Sequence, residues 1–352
     1  MTTPTDLLLG AYAMAPADPA AEEAFYAGVA ELGVGGLELP LPLPGARTLD
    51  PAWFTRIVRP EWDLLVTCIP TVMGRLATTP GYGLASTDEE GRALALADVG
   101  RARDLALRLA DTHGRRRVVG IQVHTAPGPP PGSRDALARS LEQMLTWDLA
   151  GAELLIEHCD ALVAGQDAAK GFLTLEDEIT AVRATGAEAE RLGLSINWGR
   201  SAIEGRSVRT AVGQVQAAAE AGLLRAVVLS GAASTATPWG PAWGDAHIPP
   251  RGDDAALEAS TESLLGPDQI AETLRAAGDT PRLAVKVSIR PRDADVPTRL
   301  ALAQAALEAV CAAAEPTTPA SLTTEFAGSG RVRRAEPANS SDNGELTAGA
   351  HV

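Results

Sequence analysis

Basic charge, cysteine pairs, aromatic side chains and long apolar runs are all scarce in this 352-residue chain, and each scarcity closes off a class of function. Thirty Lys and Arg against 45 Asp and Glu leave a formal charge of −15, so nucleic acid or an anionic membrane surface would meet long-range repulsion. Cys68, Cys159 and Cys311 are odd in number, far apart and without a Cys-x-x-Cys pair. That fits a reducing cytoplasm and argues against a disulfide framework or a zinc site built on them. No stretch approaches the roughly 20 apolar residues needed to span a bilayer. The apolar segment LLLGAYAMA near the start follows Asp6 where a signal peptide would carry a base, and it is read as a first strand. No Gly-x-Gly-x-x-Gly follows that strand, which argues against an open dinucleotide-binding sheet, and no fixed-period repeat suggests a solenoid.

What is present is an alternation of short β-type runs with helical periodicity. Strands are expected at Leu7–Met14, Gly36–Leu41, Asp63–Ile69, Val118–His124, Glu153–Glu157, Leu194–Trp198, Ala226–Ser230 and Leu283–Ile289. Helices are expected between them: one through AEEAFYAGVAEL, then Ala52–Val58, Thr87–Thr112, one opened by Ser133, Glu176–Leu192, Thr210–Ala221, Ala255–Ala277 and Pro297–Ala313. In the fourth, Leu137, Leu141, Met144 and Leu145 recur at i, i+4, i+7 and i+8 and make one buried face. Eight strand-helix units without a hairpin signal imply a parallel sheet that closes. The expected fold is therefore an α/β (β/α)8 TIM barrel over residues 1–314, with a Pro-, Thr- and Ser-rich disordered tail over 315–352.

A polar residue stands near the carboxyl end of almost every strand, on the face that alternation turns into the barrel: Glu38, Thr67, Gln122 with His124, Glu157, Asn197, Ser230, and Lys286 with Ser288. Because successive strand residues face opposite ways, Ile196 pointing outward sends Asn197 and Ser195 inward, and Val285 and Val287 do the same for Lys286 and Ser288. The carboxyl ends of barrel strands are where active sites of this fold assemble, so the ring is the expected site.

The motifs LLIEHCD and SINWGRSAIEGRS resemble the xylose-isomerase-like barrels, the superfamily of sugar and sugar-phosphate isomerases and epimerases. YGLASTDEEGR and GPAWGDAHIP are similar to a branch of it carried as a domain of unknown function. The resemblance covers about residues 5–313. It implies one divalent metal held by an acid after strand five, an Asp after strand six, a His after strand seven and a Glu after strand eight, with two carboxylates moving a proton. Glu157 matches the first position. Asn197, Ser230 and Lys286 stand at the other three, and an ammonium beside the site repels a divalent ion, so the usual metal site is expected to be lost and no cofactor is expected. One divalent metal on an unorthodox set, Glu38, His124, Glu157 and His247, is the alternative.

Glu157 and Lys286 are left as an expected ion pair and candidate catalytic couple; a structural salt bridge is the plain alternative. Glu38, His124, Asn197 and Ser230 are candidate substrate-binding groups. Arg200 and Arg206 are placed in one loop after strand six, where their forks suit a substrate carboxylate or phosphate unless they brace Glu204. Trp239, Trp243 and His247 in the next long loop suggest a lid over a sugar face, with Asp245 beside them. His158 should face away from the ring, behind Glu157. Asp160 could turn back into the mouth or stay solvated. The function these residues point to is an isomerase or epimerase on a small hydroxylated, carbohydrate-like substrate. The rivals are a lyase or hydrolase using a Lys286 imine or a metal, and a non-catalytic sugar-binding barrel. The expected partner is a small-molecule substrate rather than nucleic acid or membrane, and a homo-oligomer stays open.

Overall fold

Eight short parallel strands pair in chain order, and the eighth returns to the first. They are β1 (Leu7–Leu9), β2 (Gly36–Pro40), β3 (Asp63–Thr67), β4 (Val118–Val123), β5 (Glu153–His158), β6 (Leu192–Asn197), β7 (Leu224–Leu229) and β8 (Leu283–Val285). Leu8 of β1 stands opposite Gly36 of β2 on one side and Ala284 of β8 on the other, so the sheet has no open edge. This computed structural model describes residues 2–41, 43–45, 50–279 and 282–314; the tail expected after residue 314 lies outside them.

Around the barrel run α1 (Pro19–Glu31), α2 (Pro51–Ile57), α3 (Ile69–Leu76), α4 (Glu89–His113), α5 (Arg134–Leu145), α6 (Leu175–Ala184), α7 (Trp198–Gly205), α8 (Val208–Glu220), α9 (Pro267–Ala277) and α10 (Val296–Ala313). Most start where a side-chain oxygen can take an otherwise unpaired amide: Asp18, Asp50, Asp88, Ser133, Thr174, Ser207 and Asp295 all accept from the first turn behind them. None of the helices among the described residues is long and apolar enough to cross a membrane.

Several boundaries differ from the sequence expectation. Strand eight ends at Val285 instead of Ile289, strand three ends at Thr67 so that Ile69 opens α3, and strand seven starts at Leu224 instead of Ala226. Strand one stops at Leu9, and Ala11–Met14 turn into a 3-10 helix instead of continuing to Met14 as strand. Helix Ala255–Ala277 is two pieces, a 3-10 turn at Ala255–Ser260 and α9, because Pro267 has no amide to bond backward and can only open a helix. Helix six ends at Ala184, near Gly186 with its left-handed φ of 64°, and strand six begins earlier, at Leu192. Trp198 does not close strand six but opens α7, so the stretch read as a loop is helical.

Two apolar regions result from the alternation. Outward strand residues such as Leu37, Leu64, Ile121, Leu154, Ile196 and Val227 join the helices in one large core, while Leu8, Leu65, Leu155, Ala226, Val228 and Ala284 form a separate cluster filling the barrel's middle. Each fully buried aliphatic side chain of this size contributes about 1.5–3 kcal/mol relative to exposure. Below that cluster, at the amino ends of the strands, Glu153 takes Nε of Arg225 at 2.9 Å and both Nη atoms of Arg282 at 2.9 and 2.6 Å. Above it, Gln122 donates to Ser195 Oγ at 2.9 Å, and then the polar mouth begins.

Candidate active site

The carboxyl ends of β2, β5, β6 and β8 carry Glu38, Glu157, Asn197 and Lys286 onto one interior level, and all four are fully buried. Glu157 is the most bonded group there. Its Oε1 accepts from Arg200 Nη1 at 2.8 Å and Asn197 Nδ2 at 3.1 Å, and its Oε2 from His124 Nε2 at 2.7 Å and Thr67 Oγ1 at 3.3 Å. Burial alone would raise its pKa, but Arg200, Lys286 and His124 outweigh burial and hold it well below the ordinary carboxylate value. Glu157 is a fixed anion.

The expected Glu157–Lys286 ion pair is not formed. Lys286 Nζ donates instead to Glu38 Oε1 at 2.9 Å, with the Tyr12 ring centroid 5.1 Å away on another side. The reason is where β1 ends. A Cβ on Gly10 would lie 2.8 Å from Lys286 Cγ and 2.9 Å from Glu38 Oε2, so only a glycine lets these two side chains meet against the β1 backbone. Burial works against the Lys286 charge, yet Glu38, Tyr12 and Glu157 together raise its pKa. Glu38 goes the other way: burial dominates and raises its pKa despite Lys286. Its Oε2 is buried with no hydrogen-bond partner, which a carboxylate tolerates poorly and a protonated acid tolerates better.

Arg200 reaches Glu157 because of the helix that sequence reasoning missed. Asn197 ends β6 and caps α7, its Oδ1 accepting from Arg200 N at 3.4 Å, which sets Arg200 one turn in and facing the barrel. Gly199 makes the entry possible, since a Cβ there would sit 2.5 Å from the Ser230 carbonyl oxygen. Arg200 also gives Nε to Asp245 Oδ2 at 3.1 Å and Nη1 to Cys159 Sγ at 3.3 Å, and Lys170 Nζ closes on the same Asp245 oxygen at 2.9 Å. Its guanidinium is therefore buried between two carboxylates instead of offering a free fork to a substrate anion. Three acids, Glu38, Glu157 and Asp245, are matched by three bases, Lys170, Arg200 and Lys286.

The remaining candidates separate. His124 joins the ring; burial lowers its pKa, so it is the neutral Nε2–H tautomer facing Glu157, while Nδ1 is left without a partner. Ser230 Oγ lies 2.9 Å from His247 Nδ1, and Asp245 Oδ1 lies 3.4 Å from that same nitrogen. A nucleophile relay needs serine and acid on opposite ring nitrogens, so these three do not make one. Burial pushes His247 down to about 3, leaving it neutral. Arg206 sits outside the ring, its guanidinium 5.2 Å over Trp243 and Nη2 on the Asp167 carbonyl at 2.7 Å. Glu204 is braced by neither arginine: it takes His158 Nε2 at 3.0 Å, the Ala161 amide at 2.8 Å and Gln214 Nε2 at 2.7 Å. Trp239 packs inside its own loop with Ala233 and Ile248 and donates to the Ser288 carbonyl, so it and Trp243 do not form a paired lid. Asp160 accepts the Lys170 amide at 2.8 Å and braces that loop. His158 faces outward as expected, between Glu178 at 2.8 Å and Glu204, and these acids overcome burial to raise it to about 10. Tyr12 and Lys170 were missed. Tyr12 was read as part of strand one, and nothing in the sequence marks Lys170.

A divalent metal does not fit this donor set. Both oxygens of Glu157 are taken by protein donors, Arg200 and Lys286 supply positive charge at the site, and the described residues contain no group of three or more His, Cys, Asp or Glu placed to hold an ion. Of the unorthodox set, Glu38 is bound to Lys286 and His247 to Ser230.

The model of the domain of unknown function DUF4862 matches residues 8–302. The chain belongs to this family. An uncharacterized protein of Salmonella typhimurium is 34% identical to it over 260 residues, 71% of this chain and 80% of that one. Among solved structures, a D-psicose 3-epimerase crystallised in the presence of D-fructose superposes with a TM-score of 0.50 at 14% identity, over 81% of this chain and 91% of that one. A sugar phosphate isomerase/epimerase from Parabacteroides distasonis reaches 0.52 at 10% identity, over 88% and 95%. At such identities the likeness is one of fold, an eight-stranded parallel barrel.

Proposed function

We propose that the chain is an isomerase or epimerase of a small hydroxylated, carbohydrate-like substrate, and that protein cations act where related barrels use a divalent ion. The observation that carries this is the Lys286–Glu38 pair, a buried ammonium beside a carboxyl group with one oxygen unpartnered. The substrate carbonyl oxygen would lie against the Lys286 ammonium, which stabilises negative charge as it develops there. Glu38 Oε2 would take the proton from the adjoining hydroxyl-bearing carbon, the electron pair moving onto the carbonyl oxygen. It would return that proton to the former carbonyl carbon while the neighbouring hydroxyl passes its proton to the enolate oxygen and becomes the new carbonyl; epimerisation instead requires a second donor on the opposite face. Glu157 would hold Arg200, His124 and Asn197 in place for substrate hydroxyls. This transfers to Glu38 the proton-moving role that strand position alone suggested for Glu157, because an anion with four donors is a poor base. An imine at Lys286 is disfavoured, since its raised pKa keeps the amine protonated.

Complete burial of Glu38, Glu157 and Lys286 favours one second reading, a barrel whose ring is structural and which binds a sugar without turning it over. Incubation with ketoses, aldoses and their phosphates in deuterated water separates the two. Deuterium appearing on the carbon beside the carbonyl supports the isomerase or epimerase; binding without any exchange across the panel leaves the non-catalytic barrel.

A further inference from the structure

The chain has only thirteen aromatic residues, six Trp, three Tyr and four Phe, and four of them line one cavity. Tyr12, Tyr26, Trp53 and Phe54, with Leu39 and Pro40, surround about 240 Å³ between the outer face of β2 and helices α1 and α2. Protein interiors are packed like organic crystals, and a void loses the contacts its walls would otherwise make. Here the walls include two of the chain's three tyrosines and already hold one another edge-to-face, with Tyr26–Trp53 and Trp53–Phe54 centroids both 6.2 Å apart. The space is thus framed by a rigid aromatic scaffold. Its volume is generous for one ring, since an apolar cavity of about 150 Å³ already takes up benzene. The one carboxylate in the lining, Glu22, is engaged with the Trp53 indole N–H at 2.9 Å, which favours an uncharged occupant over a cation.

The cavity also adjoins the site described above. Tyr12 lines it and lies over Lys286, and this ring is the contact between cavity and site, since Leu39 turns to the opposite face of β2 from Glu38. We propose that this cavity seats an uncharged, aryl-sized apolar group carried by the ligand whose polar, hydroxylated end is held at Lys286 and Glu38. The polar end rests on the functional reading above; the aromatic seat stands on the cavity alone. The substrate class becomes a hydroxylated carbonyl compound with an apolar arm, instead of a bare sugar.

Indole is the first probe. Titrated into the full chain, it should bind in the millimolar range or tighter and show nuclear Overhauser contacts to the ring protons of Trp53. Ala15 lines the same space and is partly exposed, so Ala15→Phe should fill it and weaken indole at least tenfold, with the melting temperature unchanged or raised. Phenyl and methyl ethers of one ketose, substituted on a hydroxyl away from the carbonyl so that the ketone stays free, form the second comparison, the phenyl compound binding at least tenfold tighter to the wild type and not to Ala15→Phe. Indole that binds without contacting Trp53, or no binding at all, overturns the seat, and this measurement needs no variant to fold. Deuterium exchange on bare sugars with no aryl preference would remove the seat and keep the isomerase reading; aryl binding in a protein that exchanges nothing would do the reverse.

Discussion

Glu153 and Glu157 lie four residues apart on β5 and point into the same barrel, yet they do different things. Glu153, at the amino-terminal floor, is bonded by Arg225 and Arg282, whose side chains keep 21% and 14% of their surface exposed. Burial would raise its pKa, but the two arginines lower it, and no side-chain atom of the trio is left buried without a partner. Glu157, at the mouth, is completed just as fully, but its surroundings are not: Glu38 Oε2 and His124 Nδ1 are both buried and unmatched. The floor is a finished ion cluster that closes the barrel. The mouth retains unsatisfied capacity, which a fold serving only stability has little reason to keep.

The sharpest way to break that contrast is Glu157→Leu. It leaves Arg200 buried with one acid fewer and three other donors unmatched, so about 3–5 kcal/mol of folding stability should be lost in urea denaturation. A loss under about 1 kcal/mol would mean that the mouth relaxes as easily as a surface pair. Next in size is Glu38→Gln. Deuterium exchange into substrate should fall by about 10²–10⁴-fold, the usual contribution of a general base, while the far-UV spectrum stays that of the wild type. Retained exchange would return the proton to another group. At the floor, Glu153→Gln should cost about 1–3 kcal/mol, less than at the mouth because both arginines can turn to water, and ligand binding should not change. A drop in binding would show that floor and mouth are coupled through the barrel.

The pH response should be opposite in sign for the two mouth acids. Glu157, depressed in the fold, contributes stability that is present above its unfolded pKa and is lost as pH falls through its folded value. Glu38, raised in the fold, contributes stability that is fully present below its unfolded pKa and fades as pH rises through its folded value. As a base Glu38 must also be ionised, so the acid limb of turnover should lie above the ordinary carboxylate range and vanish with Glu38→Gln. A limb at or below pH 4 would remove Glu38 from the chemistry. The smallest expected effect is that of metal removal: dialysis against a chelator should leave exchange within about twofold, because the ring's positive charge is covalent to the chain. A loss restored by one divalent ion would overturn the donor-set argument.

Much of this arrangement was legible in the order of residues. Period-two alternation in LLIEH and LSIN was enough to turn Glu157 and Asn197 inward and His158 outward, because strand geometry leaves no other choice, and Lys286 follows the same alternation one residue past the end of β8. Eight such units with capping residues between them implied closure. The partners were not legible. Lys286 was assigned to Glu157 from opposite charge and the shared inward face, whereas it pairs with Glu38 in the space that Gly10 leaves open; Arg200 was assigned to a loop, whereas the Asn197 cap turns that segment into α7 and brings the guanidinium into the barrel.

The sequence by itself determined the barrel and which strand side chains face its interior, since these follow from local periodicity. Only the tertiary structure decided which acid holds which base, which oxygen is left over, and where the aromatic side chains leave a space. Those outcomes depend on separations of a few ångströms between strands far apart in the chain, where a Cβ at Gly10 would crowd Lys286 and Glu38 and one at Gly199 the Ser230 carbonyl.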